Sequence, residues 1–387
     1  MSTVAVPALN TIELPPFSAA DPSPEIPSAG PWITEKEVAY VADACARGWY
    51  DNWHGYLDRF EQAARELTGN RFAIATSSCT GALHIAMAAL GLKPGDEVIV
   101  PETTWIATVT GVCYVGATPV FVDVEKDTWC MDPECFRAAI TPRTTAVIPV
   151  AMYGHPPEMH AINAIAAEHG IHVIEDAAPG IGSTYHGRPV GSLGLAAAFS
   201  FQGAKPLVCG EGGLLATNDE DFYERAYYYW DHCREPSKIL YCTDIGFKYK
   251  MSNIQAALGL AQLERAEEII NKRRQIFFWY RERLEGIEGL SMNVERPGVR
   301  NSFYVPTIVL DRDFRISPQE LMDRLNAEGI GNRPFFRCIS KLPMFESVDT
   351  PIADHLAARG VNLPCTTLLT EDHVDHVCRA VRRYLLG

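Results

Sequence analysis

The sequence predicts an α/β fold: a mainly parallel central sheet sandwiched by helices, with a smaller C-terminal α+β domain. Three observations carry that expectation. Between residues 72 and 217, seven short β-rich runs (RFAIATSS, DEVIVP, TPVFVDV, TAVIPVAM, IHVIEDAA, AAFSFQ and GGLLATN) alternate with helical stretches, the pattern of parallel strands joined by crossover helices. Further on, IQAALGLAQLERAEEIINKRRQIFFWYRERLEG keeps helical periodicity for about eight turns, longer than an average helix, and reads as a connector to a second lobe. Finally, 387 residues suffice for two lobes by the usual relation of length to core size.

Taken in order, the chain opens with MSTVAVPALNTIELPPFSAADPSPEIPSAG, rich in Pro, Ser and Ala and lacking the basic start and apolar core of a secretory signal. Residues 1–30 are therefore expected to form an irregular arm ahead of the folded body. TEKEVAYVADACARG reads as an amphipathic helix capped at Thr34 and stopped at Gly48, and YLDRFEQAARELTG repeats that logic. The sheet follows, within a large α/β unit spanning residues 31–265. Residues 266–387 hold the connecting helix and the small α+β domain, with SFYVPTIVL as a strand and SPQELMDRLNAEG and TEDHVDHVCRAVRRYLL as helices.

Composition narrows the function. With 47% apolar and 21% charged residues, no apolar run of membrane-spanning length and no fixed-period repeat, the chain reads as an unanchored globular protein. A formal net charge of −14 argues against nucleic-acid binding, which rests on clustered Lys and Arg. The 11 cysteines are scattered without CxxC or zinc-like spacing, so a reduced cytoplasmic protein with no metal site is expected.

Four segments at predicted strand ends carry the candidate chemistry. In TSSCTGALHIAMAALG a strand ends near Thr76 and a helix starts near Thr80. Free N–H groups and the positive helix end suit a phosphate there, although a capped helix start after a strand is also commonplace. PETTWIATVTG sets Trp105 just past a strand end, either to stack on a flat heterocycle or to pack in the core. IHVIEDAAPGIG ends a buried run on Glu175 and Asp176; a carboxylate there needs a partner, and either a protonated ring nitrogen or a structural donor set would serve. In AAFSFQGAKPLVCGEGGLLATND a lone amine, Lys205, lies between the apolar run ending at Ser200 and the glycines 210, 212 and 213, so it either reaches solvent or does chemistry. Together a phosphate cradle, a ring stacker, a carboxylate for a ring nitrogen and a Schiff-base lysine meet the requirements of pyridoxal 5′-phosphate (PLP).

SFQGAKPLVCGEGG, VIEDAAPGIG, TSSCTGALH and KYKMSNIQAALGLAQLE resemble the DegT/StrS-type sugar aminotransferases, a branch of the fold type I PLP-dependent transferases. The resemblance runs from about Trp32 to LPCTTLLTEDHVDHV, and its flavour is that of the GDP-perosamine synthases, which aminate a 4-keto-6-deoxy sugar carried on a nucleotide. It implies transfer of an amino group from glutamate or glutamine to a keto sugar. By position, Lys205 resembles the family's Schiff-base lysine and Asp176 the partner of the ring nitrogen. Trp105 takes the place of the ring-stacking aromatic, while Cys79, Thr80 and Ser200 take those of the phosphate donors. Lys248 in GFKYKMSN matches the place where a neighbouring subunit gives an Asn or Lys to the phosphate, which implies a homodimer with shared active sites. Three departures stand out: Ser78-Cys79-Thr80 replaces the family's NGT, Pro179 replaces the Gln or His that partners the ring hydroxyl, and FFRCISKLPMF lacks a frequent His.

Substrate contacts are less marked. Asn52, Trp53 and His54 lie between two helices where relatives place such contacts, and Arg333 with Phe335 and Phe336 offers a guanidinium beside aromatics that would grip a diphosphate and base. A surface turn and a core aromatic pair explain the same residues equally well. The acceptor expected first is a nucleotide-linked 4-keto-6-deoxyhexose; the alternatives are a keto-inositol or an unlinked keto sugar. A dehydratase on the same fold, which replaces the lysine by His, and a non-catalytic PLP sensor are the rival readings.

Overall fold

The computed structural model describes residues 26–387, so most of the expected arm lies outside the described residues. All seven β-rich runs form one sheet: β1 (Phe72–Thr76), β2 (Glu97–Pro101), β3 (Thr118–Val122), β4 (Thr144–Val147), β5 (His172–Asp176), β6 (Ala196–Ser200) and β7 (Gly213–Thr217). Their spatial order is β1-β7-β6-β5-β4-β2-β3. Every pairing is parallel except those of β7, which runs against both β1 and β6. Six strands therefore end on one edge of the sheet, and β7 begins there.

Alternation along each strand feeds two cores, which is why the runs are apolar on both faces. Six helices matter to the argument: α1 (Glu35–Arg47), α2 (Gly55–Thr68), α3 (Cys79–Ala89), α4 (Ala107–Tyr114), α5 (Asn253–Leu263) and α6 (Ala266–Leu284). Ile74, Ala198 and Leu215 pack with Leu83 and Ala86 of α3. Their strand neighbours Ala75, Ala197 and Leu214 point the other way, onto Phe60 of α2 and Leu260 of α5. The outer edge of β1 is closed by side chains: Glu61 accepts the Ala75 N–H at 2.7 Å, and the Trp230 indole N–H donates to the Ala75 carbonyl at 3.0 Å. Both main-chain groups of Ala75 are thereby taken, which blunts the edge at that point.

The eight-turn helical run is two helices. At Arg265 the backbone leaves helical geometry (φ −114°, ψ 12°), and the guanidinium turns inward to the buried Glu37 carboxylate at 2.7 Å. Recruiting that ion pair breaks the helix between α5 and α6. Beyond the break α6 joins the core shared with α2 and α5, through Ala266 and Ile269, to a separate core in the C-terminal domain, through Ile276, Tyr280 and Leu284.

The C-terminal core backs a four-stranded antiparallel sheet of β8 (Leu290–Met292), β9 (Thr307–Leu310), β10 (Arg333–Pro334) and β11 (Gly360–Asn362), in the order β8-β9-β11-β10. The end of the expected arm is built into this domain. Ile26 bridges Ile330, donating to the Gly329 carbonyl at 2.7 Å and accepting from Gly331 at 2.8 Å, and the Ser28 carbonyl accepts the Cys365 N–H at 3.0 Å. Among the described residues no helix is long and apolar enough to cross a membrane.

Candidate active site

Where β1, β2, β5 and β6 end, a cavity of about 460 Å³ opens between the central sheet and the C-terminal domain. Cys79, Thr80, Trp105, Asp176, Ser200 and Lys205 all line it. Parallel topology gathers them, since it brings loops far apart in sequence to one sheet edge.

On one side lies the start of α3. Ser78 caps the helix, its Oγ accepting the Gly81 N–H at 3.0 Å, which leaves Cys79 and Thr80 in the first turn facing the cavity. The glycines after Lys205 now have a reason: a Cβ on Gly213 would lie 2.3 Å from the Ser78 carbonyl carbon, so β7 can begin here only without a side chain. The close approach that NGT would permit through its own glycine is supplied here from the facing strand. Burial pushes the Cys79 thiol well up, so it lines the cradle as a neutral group.

Adjacent carboxylates on β5 part company. Glu175 accepts the N–H groups of Gly191, Leu193 and Gly194 at 2.8, 2.7 and 2.7 Å and so anchors a loop on the far face. Asp176 faces the cavity. One oxygen accepts the Thr108 hydroxyl at 2.7 Å, the other the Ala178 N–H at 3.1 Å, and Thr104 backs Thr108 at 2.9 Å. Burial raises the Asp176 carboxyl above its ordinary value; the Thr108 hydroxyl, the Lys205 ammonium and the Ala178 N–H pull it down less strongly. A buried carboxylate aimed at open space, with more desolvation than pairing, fits a cationic ring nitrogen as its missing partner.

Trp105 is 62% exposed at the cavity mouth, which settles the choice between a core residue and a cavity wall in favour of the wall. Lys205 points its ammonium at the Tyr304 ring, 4.8 Å from the centroid, and no carboxylate pairs with it among the described residues. Pro179 also lines the cavity, with no donor of its own to offer.

Other expected residues lie elsewhere. Lys248 is exposed and does not line the cavity of its own chain, yet its loop is docked on the cradle: the Ser77 N–H donates to the Tyr249 carbonyl at 2.6 Å, and Thr76 bridges Lys250. Asn52, Trp53 and His54 form an exposed turn with local bonds only, Asn52 to the Arg47 carbonyl at 3.1 Å and His54 to Asp58 at 2.7 Å; the structure does not bring them to the cavity. The Phe335 expectation is corrected. Its ring is 1% exposed, edge-on to Trp129 and Tyr153 at 5.5 and 5.2 Å, because the chain leaves β10 after Pro334 and packs the next side chain inward. Phe336 lines the cavity instead, with Arg333, and its ring lies 6.3 Å from Trp105.

Ser28, Tyr153, Thr108, Tyr304, Asn362 and Cys365 were not singled out in the sequence. Of these only Thr108 carries a local signal, a second threonine four residues after Thr104, and the two hydroxyls bond at 2.9 Å across the start of α4.

The sequence profile of the DegT/DnrJ/EryC1/StrS aminotransferase family matches residues 31–382. A GDP-perosamine synthase of Caulobacter vibrioides is 38% identical over 370 residues, covering 94% of this chain and 99% of the relative. The GDP-perosamine synthase of Escherichia coli O157:H7 is 36% identical, covering 93% and 98%. Among solved structures, a Streptococcus pneumoniae protein in its PLP form superposes with a TM-score of 0.88 at 26% identity, over 93% of this chain and 98% of that one.

Proposed function

Because this chain belongs to the DegT/DnrJ/EryC1/StrS aminotransferase family, and is thus a PLP-dependent aminotransferase, we propose that it aminates a nucleotide-linked 4-keto-6-deoxyhexose with glutamate or glutamine as donor. The observation that carries this reading is the convergence of Lys205, Asp176, Trp105 and the Cys79–Thr80–Ser200 cradle on one cavity. The relatives named GDP-perosamine synthase support the choice of acceptor.

When bound, PLP supplies an electron sink that stabilises negative charge on the carbon bearing the amine. The chain supplies the rest. Backbone N–H groups at the start of α3, with the Thr80 and Ser200 hydroxyls, hold the phosphate. Trp105 covers one ring face. Asp176, kept in place by Thr108, would hold a proton on the ring nitrogen, and Lys205 would serve as the base that takes the proton from the donor's α-carbon. Across both half-reactions the amino group leaves the donor and replaces the acceptor's carbonyl oxygen, so glutamate departs as 2-oxoglutarate without any outside oxidant. Arg333 and Phe336 take the nucleotide-bearing part of the acceptor. Residues 31–265 form the cofactor-binding unit and residues 266–387 the smaller one, and the 11 free cysteines suit the reducing cytoplasm.

The test is 2-oxoglutarate release from glutamate with a GDP-linked 4-keto-6-deoxyhexose, a keto-inositol and an unlinked keto sugar. Turnover confined to either of the last two would overturn the acceptor assignment. The working unit is a homodimer in which Lys248 reaches the neighbour's phosphate. Mixing Lys205→Ala with Lys248→Ala subunits should then restore activity, because each mixed dimer holds one site with both lysines intact. Mixed dimers no more active than their parents would show that each subunit binds its cofactor alone.

A further inference from the structure

Next to Arg274, which pairs with Glu295, lies an arginine of a different kind. Arg273 is 2% exposed, sits at the middle of α6 between the central-sheet and C-terminal cores, and has no carboxylate partner among the described residues. Its flanking inward residues on the helix, Ile269, Ile270, Ile276 and Phe277, are apolar. A buried cation without a counter-ion is costly, and its Nε–H is left without an acceptor as well. Packing alone would be served better by Met or Leu at this position.

What the guanidinium does touch is specific. One terminal nitrogen donates to the carbonyls of Tyr304 and Cys365 at 3.2 and 3.1 Å, and the other to the carbonyl of Lys205 at 3.3 Å. These three carbonyls belong to residues of three separate segments that line the cavity. Two of them bear on one contact, since the Lys205 ammonium faces the Tyr304 ring at 4.8 Å. The Cys365 carbonyl extends the chain further, because the same residue's N–H binds Ser28 of the segment docked on the C-terminal sheet. Apart from Arg273, the lysine's main chain is held here by a turn bond from its N–H to the Gln202 carbonyl at 2.8 Å. The loop it belongs to, between β6 and β7, is otherwise free of ladder bonds at that point.

We propose that Arg273 is a positioning residue for Lys205: one buried guanidinium fixes the backbone of the lysine and of the aromatic beneath its ammonium, tying the connecting helix to the reacting atoms. The proposal rests on the reading of Lys205 as the reactive lysine. A planar fork with several donors can hold three carbonyls at once; an ammonium on a flexible stem cannot keep that geometry, so Lys is no substitute here. Misplacing a proton-transfer group by about 1 Å costs on the order of 100-fold in rate.

The test uses the full chain with R273K and R273Q, scored per mole of folded protein by near-ultraviolet circular dichroism and melting temperature. R273K should fold, keep KM for glutamate within about 3-fold, and lose kcat by about 10- to 100-fold. In the cofactor-free protein, amide hydrogen exchange across residues 202–209 should speed up by about 10-fold or more, while exchange in residues 276–284 stays as in wild type. Wild-type kcat and wild-type exchange in R273K or R273Q would overturn the proposal. So would failure of both variants to fold, since the guanidinium would then serve the core and not the lysine. The underlying reading fails separately: a Lys205→Ala protein that keeps its cofactor absorbance and turnover removes Lys205 from the chemistry whatever Arg273 does.

Discussion

The two walls of the cavity are built differently. On the central-sheet side Thr80, Trp105, Asp176, Ser200 and Lys205 each follow or end a strand, so topology alone delivers them to one edge. On the opposite side Ser28, Tyr304, Arg333, Phe336, Asn362 and Cys365 come from short, mostly irregular stretches held by α6 and the small sheet. The first wall carries the chemistry that any acceptor needs. The second has no counterpart to Lys205 or Asp176, and on the proposed reading it serves recognition of the acceptor. The consequence is a separation of kinetic effects: changes in the first wall should act on kcat, changes in the second on KM.

The largest effect should come from Lys205→Ala. Without an amine to bind the cofactor covalently and to carry the proton, the visible absorbance should vanish and glutamate-dependent turnover fall by about 10⁴-fold or more. Borohydride should fix the cofactor to Lys205 in wild type and not in the variant. Asp176→Asn comes next, at about 10²- to 10³-fold in kcat, because a neutral amide cannot hold the proton on a ring nitrogen. Its fold should survive, since the amide oxygen can still accept the Ala178 N–H while the amide NH2 donates to the Thr108 hydroxyl oxygen. If Asp176→Asn changes KM alone, the division between the walls is wrong.

The same contrast explains what the sequence shows. Strands β1 to β7 are legible because each is a short apolar run between turns, and Lys205 because a lone amine in such surroundings stands out. Asp176 could be told from Glu175 only by the family resemblance, since the face each takes depends on register, which the structure fixes by giving Glu175 three backbone donors. Phe335 and Phe336 show the limit. Adjacent aromatics after a proline carry no periodicity, and which one reaches the cavity is decided by Trp129 and Tyr153 from two distant loops. Arg273 is silent because its partners are main-chain carbonyls that no residue pattern encodes, and Tyr304 because the lysine its ring meets lies far away in sequence.

A smaller effect sharpens the second wall. Arg333→Ala should raise KM for the nucleotide-linked acceptor by about 10- to 100-fold, the worth of a charge-assisted hydrogen bond of about 1.5–3 kcal/mol, and leave kcat within about 3-fold. KM for glutamate measured in the same variant tells which substrate meets the guanidinium. An unchanged acceptor KM would move recognition off this wall.

The smallest effect on activity belongs to Glu61, which supports the first wall from behind without touching the cavity. Burial pushes its carboxyl up to about 7; the Ala75 N–H it accepts works the other way, and Asp58 adds a smaller upward push. With the folded value raised above the ordinary 4.5, the folded chain keeps a proton that the unfolded chain has already lost. Stability therefore falls as pH rises from about 4.5 to about 7 and stays low above that window, by at most about 3 kcal/mol at about 1.4 kcal/mol per pKa unit. Glu61→Gln keeps an acceptor for Ala75 and removes the charge. Its melting temperature should match wild type near pH 4.5 and exceed it increasingly up to about pH 7, with a level difference above that, while turnover per folded molecule stays unchanged. All other titrating groups are common to both proteins, so the difference between the two curves isolates this carboxyl. A difference that does not vary with pH would mean that Glu61 ionises as freely as an exposed glutamate, and that the edge of β1 is held without a proton.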